Sequence, residues 1–179
     1  MGGNSRVTGK ATLGRDAKVK GHARVGGNAI IKGRAKVSGH AQVSDHAVIS
    51  GSAWVFGRAT VRDSARVAGH AEVSGHAVVA GTATVTSHAE VSGNAFVGGT
   101  ARVSGNASVS DSCVILDNAH VWKPEHVVSL VDKKHSIAWT IYRTYDGGRQ
   151  AVRNQDAVDE SEAPPELLKR AESAWQPES

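Results

Sequence analysis

An aliphatic residue returns at every sixth position from Val7 to Val121, twenty times without a slip. Two positions ahead of each stands a small residue: Ser5 first, Cys113 once, and Ala at every other step from Ala11 to Ala119. Two positions after it comes Gly, Asp or, less often, Ser or Arg, and then a small polar or basic residue, so that the unit reads V-x-[GD]-[HNST]-A-x. Side chains two apart on an extended chain share a side, which turns the Ala and the aliphatic residue inward together. β-Branched Val favours extended backbone and suits a narrow interior. Gly-His, Gly-Asn and Asp-Ser are turn pairs, because Gly and Asn accept positive φ and Asp or Ser can bond the local backbone. Each six residues therefore predict one short strand and one turn. Three such units close a triangular coil of eighteen residues, each coil lying on the next at roughly 4.8 Å. The run predicts about 6–7 coils and a prism roughly 30 Å long.

Segments such as Val73-Ser74-Gly75-His76-Ala77-Val78 and Val91-Ser92-Gly93-Asn94-Ala95-Phe96 resemble the hexapeptide-repeat superfamily, whose signature is [LIV]-[GAED]-x-x-[STAV]-x. The likeness covers residues 5–122. It implies an all-β fold, a left-handed parallel β-helix; the hand comes from the resemblance, since the general crossover rule favours the opposite one. Many members of that superfamily are acyl-CoA-dependent acyltransferases and many are trimers, while others are carbonic anhydrases, antifreeze proteins or scaffolds. The fold does not choose among these.

The hexads stop at Trp122-Lys123-Pro124. An open β-helix end needs a cap. Residues 123–153 predict a small β-meander for that purpose: strands at Val127–Val131 and Ile137–Arg143, a hairpin turn at Asp146-Gly147-Gly148, and a returning strand over 149–153. Residues 154–179 read as an acidic linker ending in Pro164-Pro165, then a short helix over Glu166–Trp175 with Leu167, Leu168, Ala171 and Trp175 on one side. Such a helix is too short to stand alone and must dock. Within Trp139–Gly148 the tail resembles those of uncharacterised bacterial and phage hexapeptide-repeat proteins.

Composition adds little to the fold and more to the setting. Aromatics at 4% and Gly at 20 residues fit a thin repetitive core. No run long enough to cross a membrane is present, no charged-then-apolar leader opens the chain, and a lone Cys113 suits a reducing compartment. The expectation is a cytoplasmic protein, or a virion component if phage-encoded. The net charge of +4 is uneven. Residues 6–122 hold 13 Lys/Arg against 7 Asp/Glu, whereas residues 123–179 hold 8 against 10. Nine of the basic groups fall within the first 36 residues, which makes one end strongly positive.

Residues eighteen apart stack in ladders on three faces. The first face carries Arg24, then an apolar half: Val78, Ala80, Phe96, Val114 and Leu116. Exposed apolar patches mean contact. The tail folding back, a homotrimer interface and a ligand groove lined by Phe96 are the three occupants open to it. The third face carries Lys18, Lys20 and Lys36, then Trp54 with Phe56, then Glu72 and Glu90. Trp54 and Phe56 are interface candidates, and Lys18, Lys20, Arg24 and Lys36 are anion-binding candidates, for nucleic acid or an anionic glycan. No aromatic platform is expected beside the basic cluster.

Six of the nine His (His22, His40, His46, His70, His76, His88) share one turn slot that also takes Asn, Ser, Thr and Arg. The slot accepts His without chemistry, although His22 with His40, and His70 with His88, should stack. The spacing does not match the ligand sets of the superfamily's zinc enzymes, so no metal is expected. Acyl transfer there needs a His base and a loop that breaks the coil, and no loop interrupts 5–122. If a base were required, His76 or His88 would be chosen. The sequence reading is therefore a non-catalytic structural or interaction protein without cofactor, trimeric or part of a larger assembly. The alternatives are an acyltransferase using acetyl-CoA and a binder of anionic polymers through the basic end.

Overall fold

A computed structural model describes residues 3–132 and 137–174. Twenty two-residue strands, from Arg6–Val7 to His120–Val121, build three parallel sheets of seven, seven and six strands around a solenoid of about six turns. Every pairing joins residues eighteen apart, as in Lys36↔Trp54 and Val37↔Val55. In each strand the first residue faces out and the second is the inward aliphatic one. From Val19 to Val109 the inward Val, Ile and Ala positions are at most 1% exposed. Backbone groups are satisfied coil to coil: the Arg24 N–H donates to Ala41 O at 2.9 Å and the Gly26 N–H to Val43 O at 2.9 Å.

From Gly9 to Asp117 the turn slot two residues after each inward aliphatic residue takes positive φ, Arg15 excepted. Gly51, at +68°, shows why Gly dominates there: an added Cβ would sit 2.8 Å from Gly69 O on the next coil. Asp45 and Asp63 occupy the same slot at 57° and 61°. Their carboxylates compensate by bridging coils, Asp45 accepting from the Asp63 N–H at 3.2 Å and Asp63 from the Gly81 N–H at 2.9 Å. The Asp63 N–H and then the Ser44 hydroxyl hold the Asp45 carboxyl below its ordinary range.

Four antiparallel strands follow: Val127–Asp132, Ile137–Arg143, Arg149–Arg153 and Asp156–Val158. The returning hairpin strand, Arg149–Arg153, is where the sequence places it. The fourth lies in the stretch read as linker, which also carries a short turn of helix at Glu160–Glu162 and the Arg149–Glu160 ion pair at 2.9 Å. The helix runs Pro165–Ala174, with Pro at its first turn. Leu167 and Ala171 are buried, and Trp175, expected on the same side, lies outside the described residues.

The sheet is covered on both faces, which explains its nearly continuous apolar strand. Tyr142, Val152 and Val127 pack with the solenoid core. Val128, Trp139, Ile141 and Ala151 pack with Leu167 and Ala171 of the helix. Hydrogen bonds then close the open end of the last coil. The Val114 N–H donates to Thr140 Oγ1 at 3.0 Å, the Tyr142 hydroxyl to Leu116 O at 3.1 Å and the Tyr145 N–H to Asn118 O at 2.8 Å. At the opposite end Val7, Ala11, Leu13 and Ala17 remain partly exposed. No helix among the described residues is long and apolar enough to cross a membrane.

Candidate functional site

The third face holds the densest set of candidate residues. Parallel register stacks Lys18, Lys36, Trp54, Glu72, Glu90 and Ser108 in one outward column. The repeat sets Lys20, Ser38, Phe56, Ser74, Ser92 and Ser110 beside them. Trp54 is 37% exposed. Its ring lies 4.2 Å from that of Phe56, tilted 31°, and its Nε1–H donates to Ser38 Oγ at 3.1 Å. The Lys36 Nζ stands 5.8 Å from the Trp54 ring centroid, a cation–π contact. The basic cluster thus does have aromatic company, contrary to the sequence expectation: Trp54 is eighteen positions from Lys36 along the chain but one coil away in space. Two recesses open here. One of about 230 Å³ is lined by Lys18, Lys20, Lys36 and Trp54. The other, of about 560 Å³, is lined by Arg15, Lys18, Arg34 and Lys36 together with Asp16 and His70.

Arg24 does not join that cluster. Its strand pairs with Arg6 and Gln42 on the first face, where it lines a recess of about 340 Å³ with His22, His40 and Arg58. His22 and His40 stack at 4.8 Å and 10°, and His70 and His88 at 5.1 Å and 6°, as the coil length requires. His76 and His88 occupy different corners of the triangle, one before the first face and the other before the third, so they do not converge. Among the described residues, no three His, Cys, Asp or Glu side chains group as a metal-binding set. Cys113 is buried at the end of the Ala column, and burial pushes its thiol pKa up. That is the behaviour of a core filler.

On the first face, Val114 is covered and Leu116 half-buried, both packed with Tyr142 in one apolar cluster. Phe96 folds over Gly98, where a Cβ would collide with its ring. Phe96 is half-buried in this way, and Val78 one coil away is half-buried too. The tail therefore reaches the Val114 end of the patch, and Val78 lies on the coils beyond it.

Sequence reasoning missed the junction between solenoid and cap. His120, Trp122, His126 and Tyr145 gather there, with Trp122 edge-on to His126 at 4.0 Å and His120 against Tyr145 at 5.5 Å. His126 is 3% exposed and its Nδ1 accepts from the Trp122 N–H at 3.4 Å. Burial first, and then the Arg143 charge, lowers the His126 pKa; burial and then Arg102 lower that of His120. A recess of about 440 Å³ beside them is lined by Thr100, Arg102, Asn118, Tyr145 and Asp146. The signal was the aromatic and His content of residues 120–126, where the hexads end.

Twenty stacked strand-and-turn units with ladders of outward side chains define a β-solenoid repeat protein. Residues 41–56 and 101–117 match the family model of the YdcK β-solenoid repeat, to which this chain is similar over those two segments. No curated protein matches the chain.

Proposed function

We propose that this protein is a non-catalytic interaction rod, a component of a larger assembly that presents ladders of side chains on flat faces. We read it as a hexapeptide-repeat solenoid of bacterial or phage type, held in the cytoplasm, where a single free thiol such as Cys113 is at home. The observation that carries this reading is the unbroken run of coils from Val7 to Val121. Catalysis wants a concave site with convergent groups, and the two His candidates lie on separate corners. The test is a thermal-shift titration with acetyl-CoA and CoA into the millimolar range. The expected result is no shift; a rise in melting temperature that grows with ligand would replace this reading with acyl transfer.

A second reading has its own observation. Two recesses share Lys18 and Lys36, with Trp54 beside them. Lysines that track an anionic backbone next to a stacking ring are the parts of a polyanion site. Salt-dependent binding of an oligonucleotide or a sulfated glycan, lost in Lys18→Ala/Lys36→Ala, would support it. Binding unaffected by that variant would sink it.

A further inference from the structure

The outward column of the third face reads Lys18, Lys36, Trp54, Glu72, Glu90. The charged part of the column, which ends on the neutral Ser108, reverses sign about Trp54: two cations lie one and two coils to one side of it, and two carboxylates lie one and two coils to the other. Glu72 and Glu90 are the only glutamates in residues 5–122. The outward columns of the other two faces carry no acid at all, and the remaining acids of the repeat sit in the turns. Opposite charges at matching distances from one aromatic pair are therefore confined to a single face.

We propose that this face is a self-complementary docking surface on which a second copy of the chain lies antiparallel. The two-fold axis runs across the face at the level of Trp54 and Phe56. This rests on the interaction-rod reading and names the partner. A two-fold axis in the plane of contact, perpendicular to the solenoid, brings each column against the same column of the other copy with its order reversed. Lys18 then meets Glu90, Lys36 meets Glu72, and Trp54 and Phe56 meet their own counterparts at the centre. The neighbouring column brings Lys20 against Ser92 and Ser38 against Ser74 and adds no like-charge contact. The parallel alternative would set Lys against Lys and Glu against Glu, so the charge order selects direction as well as partner.

The cap does not obstruct this arrangement. With Trp54 opposite Trp54, Val7 of one copy reaches the level of about residue 101 on the other, and the cap begins only after Trp122. That leaves about one coil, roughly 4.8 Å, of clearance along the axis. The paired ladder spans five coils, about 20–24 Å. Two facing strips of that length bury on the order of 400 Å² per copy, below a standard specific interface and in the range of weak, transient encounters. The dimer is accordingly reversible, steered by charge and weakened by salt.

Sedimentation equilibrium of the full chain, at low and at high salt, tests the proposal through charge exchange. Wild type should show a monomer–dimer equilibrium that shifts to monomer as salt rises. Lys18→Glu/Lys36→Glu and Glu72→Lys/Glu90→Lys should each weaken self-association at least about hundredfold, because each makes the column one sign throughout. An equimolar mixture of the two variants should form a heterodimer, and combining all four exchanges in one chain should restore the homodimer. All four positions point outward, and matching circular-dichroism melts establish that the variants fold. A monomeric wild type at low salt, a trimer, a dimer indifferent to the exchanges, or a mixture without heterodimer would each overturn the proposal. Loss of polyanion binding in the lysine variant with mass unchanged would overturn it in favour of the polyanion reading. The acetyl-CoA titration reads the interaction-rod assignment whatever the mass, so the two can fail separately.

Discussion

The solenoid and its cap satisfy the same requirement, pairing every backbone group around a dry interior, by opposite means. In the solenoid a residue's task follows from its place in a group of six, and its neighbours are copies of itself one coil away. Val55 does what Val73 does, and each coil contacts little beyond the two beside it. In the cap no position repeats. Thr140 is buried at 1% because one N–H, that of Val114, needs its hydroxyl. Tyr142 carries its own carbonyl partner, and burial drives its phenol pKa up to about 12. Repetition gives tolerance at outward positions and none at inward ones, whereas the cap spreads its sensitivity over single contacts.

The sharpest way to break this contrast is one residue wide. Val67→Asp places a carboxylate in a fully buried column and should cost more than about 4 kcal/mol. Arg66→Asp, the adjacent outward position, should change stability by less than about 0.5 kcal/mol in a urea titration. Similar losses at both would mean that the inward and outward positions are misassigned. Next in size is the turn. Gly51→Val meets positive φ and the backbone of the next coil together and should cost about 2–3 kcal/mol, whereas Gly51→Asp, copying Asp45 and Asp63, should cost clearly less. Equal costs would remove the carboxylate bridge from the account. In the cap, Tyr142→Phe should lose about 1 kcal/mol. It should speed hydrogen exchange in the last coil while leaving amides near Val55 unchanged.

Protonation should reach the cap first. His120 and His126 have pKa values lowered below 6.5 by burial. The unfolded chain takes up their protons as pH falls through about 6.5 while the folded junction resists, so their contribution is complete above that value and declines below it. Exchange protection at the junction should be weaker at about pH 5.5 than at about pH 7.5, and His126→Gln should flatten the difference. A junction equally protected at both would remove His126 from the account. The smallest effect belongs to His76→Asn, within about 0.5 kcal/mol, because Asn94 already occupies the same ladder; a larger loss would mean that this turn His has a task of its own.

The solenoid was legible because its determinants are local and recur. The inward Val and Ala, the turn Gly and the eighteen-residue ladders followed from spacing alone. The stacked His pairs followed too, since coil length fixes them. The cap's strands at 137–143 and 149–153 were visible from their turn and apolar content. The strand at Asp156–Val158 was not, because a three-residue edge strand set between Asn154-Gln155 and Asp159-Glu160 is too short to stand out from a polar loop. The neighbourhood of Trp54 was half legible. Its column could be written down, yet the meeting of Lys36 with the ring depends on side-chain direction, which spacing does not carry.

Because every coil takes eighteen residues and every face six, the repeat separates two quantities that most folds entangle. Removing eighteen residues, such as 55–72, would shorten the rod by one rise, roughly 4.8 Å, and leave the cap in its original orientation. Removing six would instead turn everything beyond the cut by one side of the triangle, carrying the cap around relative to the lysines. Reach and bearing can thus drift independently through whole-unit gain or loss, and small-angle scattering of the two deletions would read one as a change of length and the other as a change of profile.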